Sequence, residues 1–230
     1  MTLMAEDHAA HSIVIKIYLD MPKPEDKVLI EELKKHKNVF TQALAEKGDP
    51  WQGEIPLHSL RKNKYKLPEY NTGWIPGKEM ASTFKGVGIT NGYSNSKNGP
   101  AEFFLVNSIQ GNVYASLPLL LAADYSKSKI NYGDKAVMLG KKKIETLPWG
   151  SIKIPAFPKP FPWKTYSFIE YSFIELLDGK IPQKEFNEKV VIIFYNGKHN
   201  PPIPIADGRT VDQSQIVALM TDFLLAHVMH

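Results

Sequence analysis

The chain contains no cysteine, which excludes disulfide staples, thiolate metal ligands and a cysteine nucleophile together. It has no apolar run approaching the roughly 20 residues that span a bilayer, and the longest C-terminal candidate, Val217 to Met229, is interrupted by Asp222. The first eight residues, Met1 to His8, are not a basic start followed by an apolar stretch, so no secretory signal is legible. There is no basic stripe with interleaved aromatics. The 28 Lys and Arg, against 24 Asp and Glu, are scattered, with one dense run at Lys141, Lys142 and Lys143. That argues against a nucleic-acid partner, while a mild positive charge suits a surface near anionic lipid headgroups equally well. Also missing are a His-Glu-x-x-His helix, a Gly-x-x-x-x-Gly-Lys phosphate loop and a Gly-x-Ser-x-Gly nucleophile turn.

What is present is an ordinary globular composition, 43% hydrophobic and 23% charged over 230 residues, enough for one sizeable core. The expected organisation is a flexible N-terminal segment, 1–12, followed by a single domain, 13–230. If the domain works outside the cytoplasm, its export and membrane segments must lie beyond this sequence.

Ile13 to Leu19 is a β-branched run of strand length. After Pro22 and Pro24, acids lead and bases close the segment to Lys35, as a helix dipole favours. Asn38 to Leu44 is the next strand, and strand, helix, strand predicts a parallel βαβ unit with a right-handed crossover. From Gly48 to Lys78 the chain lacks periodicity and is expected to be a long excursion. Lys85 to Gly92 and Phe103 to Asn107 are expected to pair as a hairpin across a turn-rich link. Tyr114 to Tyr125 is an apolar helix with Pro118 in its first turn. Short strands follow around Pro148-Trp149-Gly150, then a Pro-rich extended stretch, 155–163. Tyr166 to Glu170 is repeated at once as Tyr171 to Glu175. A five-residue repeat cannot keep one face of a helix, so helix is assigned to the second copy, closed by Gly179. Lys189 to Tyr195 is the clearest strand and 211–227 a closing helix. The expected fold class is α/β, a three-layer domain with a central mixed, mainly parallel sheet flanked by helices.

His8 and His11, and His227 and His230, have one-turn spacing, but both pairs sit near chain ends without the further ligands zinc needs. No metal or cofactor is expected. The close glycines of Gly86-Val87-Gly88 lack dinucleotide-loop spacing and indicate a tightly packed strand. Asp20, after the first strand, and Asp26, at the start of the following helix, form either an acidic pair on the rim where open α/β sheets bind ligands or a helix cap beside a solvated acid. Trp149, Phe157, Phe161, Trp163, Tyr166 and Phe168 line either a pocket or a core edge.

Taken in order, these segments resemble the cyclase/histidine-kinase-associated sensory extracellular domain, in its second subtype. The resemblance begins with the strand ending at Asp20, the Pro-rich break, Asp26 and the helix leading to Asn38-Val39-Phe40. It continues through Gly86 to Asn91 and Tyr114-Ala115-Ser116-Leu117-Pro118-Leu119. Its most specific part is Thr165 to Phe168, Glu175 to Pro182, Phe186 and Lys189 to Ile193. The resemblance implies an extracytoplasmic, periplasmic or extracellular, ligand-sensing domain of a bacterial transmembrane receptor. Flanking membrane helices outside this chain would anchor the parent. Its output would be an adenylate or guanylate cyclase, a histidine kinase or a similar enzyme.

The expected partner is a small-molecule ligand, with room for a homodimer and no nucleic acid. The domain is expected to have no catalysis of its own, so its site is a binding site: Asp20, Asp26 and Asn91 on the strand-end rim, with Tyr166 and Ser167 closing over it. The alternative is an α/β-class hydrolase or transferase in which His58 or His199 joins Asp20 and Asp26.

Overall fold

The structure is a computed structural model that describes residues 10–19, 23–65, 67–91, 101–154, 169–195, 202–205, 210–212 and 215–229. The chain opens with β1 (Ser12–Lys16), α1 (Asp26–Leu33) and β2 (Val39–Glu46). β1 and β2 pair in parallel, Ile13 opposite Val39, which is the βαβ unit the opening pattern predicts. β3 (Ser59–Lys62), β4 (Glu69–Tyr70), β5 (Thr72–Trp74), α2 (Lys78–Ala81) and β6 (Gly86–Ile89) follow. The expected irregular excursion thus contains three short strands. Beyond it lie β7 (Glu102–Phe104), β8 (Val106–Ile109), β9 (Asn112–Ala115) and α3 (Leu117–Tyr125), then β10 (Ile130–Gly133), β11 (Ala136–Leu139), β12 (Lys142–Glu145) and β13 (Ser151–Lys153). The last elements are α4 (Phe173–Leu177), β14 (Val190–Phe194), β15 (Pro202–Pro204), β16 (Thr210–Asp212) and α5 (Ile216–Met229).

The expected three-layer domain built on one central, mainly parallel sheet is not what forms. Among the described residues the sixteen strands divide over five sheets. β14, β1, β2 and β6 do lie side by side in parallel, but β5 joins this sheet antiparallel to β2, and four further sheets carry the other strands. The physical reason is strand length. Every strand except β2 has five residues or fewer, and short strands pair most readily with near neighbours through tight turns, because a parallel partner requires a long crossover. The hairpin expected between Lys85 to Gly92 and Phe103 to Asn107 is also corrected. β6 pairs with β2, and the hairpin is β8 with β9.

Two cores matter for the site. α3 is apolar all round and is buried accordingly, with Leu117, Leu119, Leu121 and Ala122 inaccessible. Ser116 caps it by accepting the Leu119 N–H, and Pro118 sits in the first turn, where its missing N–H is harmless. It packs on α5, whose Ile216, Val217, Leu219, Met220 and Leu224 are buried. A second, smaller core of Ala43, Ala45, Ile75, Ile89, Ile109 and Tyr114 joins the parallel sheet to one face of β8 and β9. In the second copy of the repeated pentapeptide, Ser172 and Glu175 form a capping box for α4, and Gly179 takes a positive φ of 67° after it. Ala10 and Ser12 are buried. No helix among the described residues is long and apolar enough to cross a membrane.

Candidate functional site

β4, β8, β9 and β3 form a four-stranded sheet in that order. β8 and β9 are joined by Gln110 and Gly111, with φ of 47° and 73°. Two positive φ values in a two-residue loop match the right-handed twist of the flanking strands. Register then places side chains in rows. Ser59 of β3 lies opposite Tyr114 of β9, which lies opposite Asn107 of β8; Lys62 lies opposite Asn112, which lies opposite Ile109.

Over these rows runs the segment 53–57, and between segment and sheet is an open cavity of about 330 Å³, at the small end of the range for ligand pockets. Ser59, Lys62, Asn112 and Tyr114 form its floor, while Gly53, Glu54, Ile55 and Leu57 form its roof. Gln110 closes one end and holds the roof in place. Its Nε2 donates to the Trp51 carbonyl at 2.9 Å and to the Asn71 carbonyl at 3.2 Å. Asn71 in turn exchanges amide hydrogen bonds with the backbone of Gly48 in both directions, and Ile55 is buried against the small core. The cavity therefore rests on hydrogen-bonded strands under a tethered roof.

Burial pushes the Tyr114 hydroxyl above the ordinary tyrosine range, and the nearby Glu54 and Glu69 carboxylates push it the same way. Near neutral pH it is a protonated hydrogen-bond donor. The lining combines two carboxamides, two hydroxyls, one ammonium and one carboxylate with the apolar Ile55 and Leu57. Such a set can hold a small polar molecule by hydrogen bonds.

The residues expected from sequence to form the site do not converge here. Asn91 directs its amide at the backbone of Ala45, accepting from the N–H and donating to the carbonyl, each at 2.5 Å. Its side chain extends the pairing of β6 with β2 and is occupied in doing so. Asp26 accepts the Lys23 N–H at 2.9 Å and organises the turn before α1. Among the described residues no hydrogen bond or ion pair joins Asp26 to Asn91 or to His58. Asp20, Tyr166, Ser167 and His199 lie outside the described residues, as do Phe157, Phe161, Trp163, Phe168, His8 and His230. Trp149 is described, and its indole N–H donates to Glu102. No group of three or more His, Asp or Glu able to hold a metal occurs among the described residues.

One cluster escaped the sequence altogether. Ser12 Oγ donates to Asp124 Oδ2 at 3.1 Å, His11 Nδ1 lies 2.9 Å from Ser12 Oγ, and Lys85 Nζ lies 2.5 Å from Asp124 Oδ1. These are the residue types of a hydrolase triad, but the serine proton points to the carboxylate instead of the imidazole, and Ser12 is inaccessible to solvent. A triad needs the histidine to take the serine proton. The cluster instead staples the starts of β1 and β6 to the last turn of α3. His11, Lys85 and Asp124 are far apart in the chain, so no local spacing announces it.

Comparison with family models, with curated proteins and with solved structures finds no match to this chain.

Proposed function

We propose that this chain is a ligand-sensing input domain of a bacterial transmembrane receptor, placed on the extracytoplasmic side and coupled to a cytoplasmic nucleotide cyclase or kinase. In this reading the domain binds and does not catalyse. The observation that carries the binding role is the cavity over β3 and β9, with its polar floor and tethered roof. The receptor class rests on the resemblance carried by Glu175 to Pro182 and Lys189 to Ile193. In support, α4 is closed by Gly179, and Val190 to Phe194 pair with β1. A route for output exists in the packing of α3 on α5, since a ligand preferring one arrangement of this pair would shift its population.

The experiment is a thermal-shift screen of the chain against small polar compounds, run in parallel on Ser59→Trp, which fills the cavity floor. Binders should raise the melting temperature of the wild type through preferential binding to the folded state and leave Ser59→Trp unmoved. Compounds that stabilise both proteins equally would remove the cavity from the proposal. Turnover of an ester or phosphate abolished by Asp26→Ala would replace the sensor reading with a hydrolase.

A further inference from the structure

The formal net charge of the chain is concentrated in one small sheet. Residues 126–145 hold Lys127, Lys129, Lys135, Lys141, Lys142 and Lys143 against Asp134 and Glu145. That surplus of positive charge equals the +4 of the whole chain, so acids and bases balance over all the rest. All six lysines are exposed. Lys143 pairs with Glu145 at 3.2 Å, and among the described residues the other five ammonium groups form no ion pair.

Pairing sorts these charges further. β10, β11 and β12 form an antiparallel meander of their own, anchored by Tyr132, Val137, Leu139 and Ile144, which are buried in the main core. Asp134 follows β10 and Glu145 lies opposite Ala136, which places both acids at one end. At the other end Gly140, with φ of 62°, turns the chain into Lys141 and donates its N–H to the Lys129 carbonyl at 2.9 Å. Ser128, between Lys127 and Lys129, lies against the same glycine, and Lys142 lies opposite Leu139. Lys127, Lys129, Lys141 and Lys142 therefore gather around one turn, with Lys143 beside them. The acids lie about 10 Å away, three residues along the strands. Gathering like charges is self-repulsive, and the buried face of the meander would pack as well under a neutral turn.

We infer that this turn is a membrane-contacting surface, and that its partner is the headgroup layer of a bilayer carrying anionic lipid. Each lysine within a Debye length of such a surface strengthens binding by about fivefold. Successive residues of β12 point to opposite sides of the sheet, so Lys142 and Lys143 flank the Lys141 tip and the turn meets the bilayer end-on. A nucleic acid would call for rings to stack on its bases, and the one aromatic ring of the meander, Tyr132, is buried. The last turn of α5 is tied to the same strand, His227 Nε2 lying 3.1 Å from the Lys143 carbonyl. The choice of a bilayer also rests on the sensor reading, in which output leaves through α3 and α5 toward the membrane.

The test is flotation of the full chain with vesicles of phosphatidylcholine alone or with about a third phosphatidylglycerol. One variant combines Lys127→Gln, Lys129→Gln, Lys141→Gln and Lys142→Gln. The control combines Lys27→Gln, Lys37→Gln, Lys47→Gln and Lys184→Gln, exposed lysines outside the meander, and removes the same charge. The wild type should bind the anionic vesicles and not the neutral ones, and should be released at about 1 M salt, where the Debye length is about 3 Å. The meander variant should bind at least about a hundredfold more weakly, and the control within about fivefold of the wild type. Lys141→Glu, a change at the exposed tip alone, should lose at least about fivefold, and it reads the same surface if the fourfold variant melts low. Equal losses in the two fourfold variants would reduce the effect to overall charge and overturn the inference. So would absence of binding to anionic vesicles, or tighter binding to a DNA duplex than to the vesicles in the same buffer. Ser59→Trp should float as the wild type does, so failure of the membrane surface leaves the cavity standing and failure of the cavity leaves the surface.

Discussion

Gly88 of β6 lies directly against the backbone of Leu117 at the start of α3: a Cβ at position 88 would sit 2.3 Å from the Leu117 Cα and 2.6 Å from its nitrogen. Gly86, two residues earlier on the same face, meets the Phe40 ring, 2.9 Å from an added Cβ. The ring can tilt, whereas the Leu117 backbone is fixed by the Ser116 cap. Gly88→Ala should therefore cost at least the 1–3 kcal/mol typical of an overpacked core, and Gly86→Ala clearly less. Urea unfolding of the two variants checks the order, and equal losses would contradict it.

Asn91 is occupied with structure. Asn91→Ala leaves the N–H and carbonyl of Ala45 without these partners and should destabilise by about 1–3 kcal/mol. Asn91→Asp keeps the acceptor for the N–H but places a carboxylate against a carbonyl, so it should be no better than alanine. Chemical denaturation measures both, and an alanine variant as stable as the wild type would return Asn91 to the list of ligand residues.

Burial draws the Lys16 ammonium down to about 8 from the ordinary lysine range. Below pH 8 both folded and unfolded chains carry the charge, and its burial cost is fully present. Between pH 8 and about 10 the unfolded chain holds more protons, so this group's contribution to stability rises with pH. Lys16→Met should therefore be more stable than the wild type at pH 7, with an advantage that shrinks by pH 9.5. Denaturation midpoints at the two pH values test it, and an advantage that grew with pH would be the wrong sign.

Tyr132 is buried, its hydroxyl has no partner, and burial pushes that hydroxyl up to about 12. The unfolded chain loses this proton near pH 10 and the folded chain later, so stability from this group is intact below 10 and lost as pH rises through 12. Tyr132→Phe should fall within about 0.5 kcal/mol of the wild type at pH 7, since it removes no hydrogen bond. At pH 11 it should lose less stability than the wild type. A large loss at pH 7 would reveal a partner for the hydroxyl.

Local pattern was sufficient wherever the determining physics is local. The β-branched runs at Ile13 and Val190, the acid-led helix between them and the second strand, Pro118 in a first turn and Gly179 after α4 are all legible. Each depends on side chains and backbone angles within a few residues. The close glycines of β6 signalled tight packing for the same reason, although the backbone they meet, at Leu117, could not be named.

What only the tertiary structure decided is pairing between distant segments. The division into five sheets follows from which short strands find partners, and no periodicity within a strand specifies that. Asn91 has the same composition and spacing whether it faces a ligand or clamps Ala45, and only the register of β6 beside β2 separates the two. The cavity residues Ser59, Lys62 and Tyr114 belong to strands more than fifty residues apart that meet through the β3 and β9 ladder. Strand identity is set by neighbours along the chain, whereas a site is set by neighbours in space, and in this protein the two sets share almost no residues.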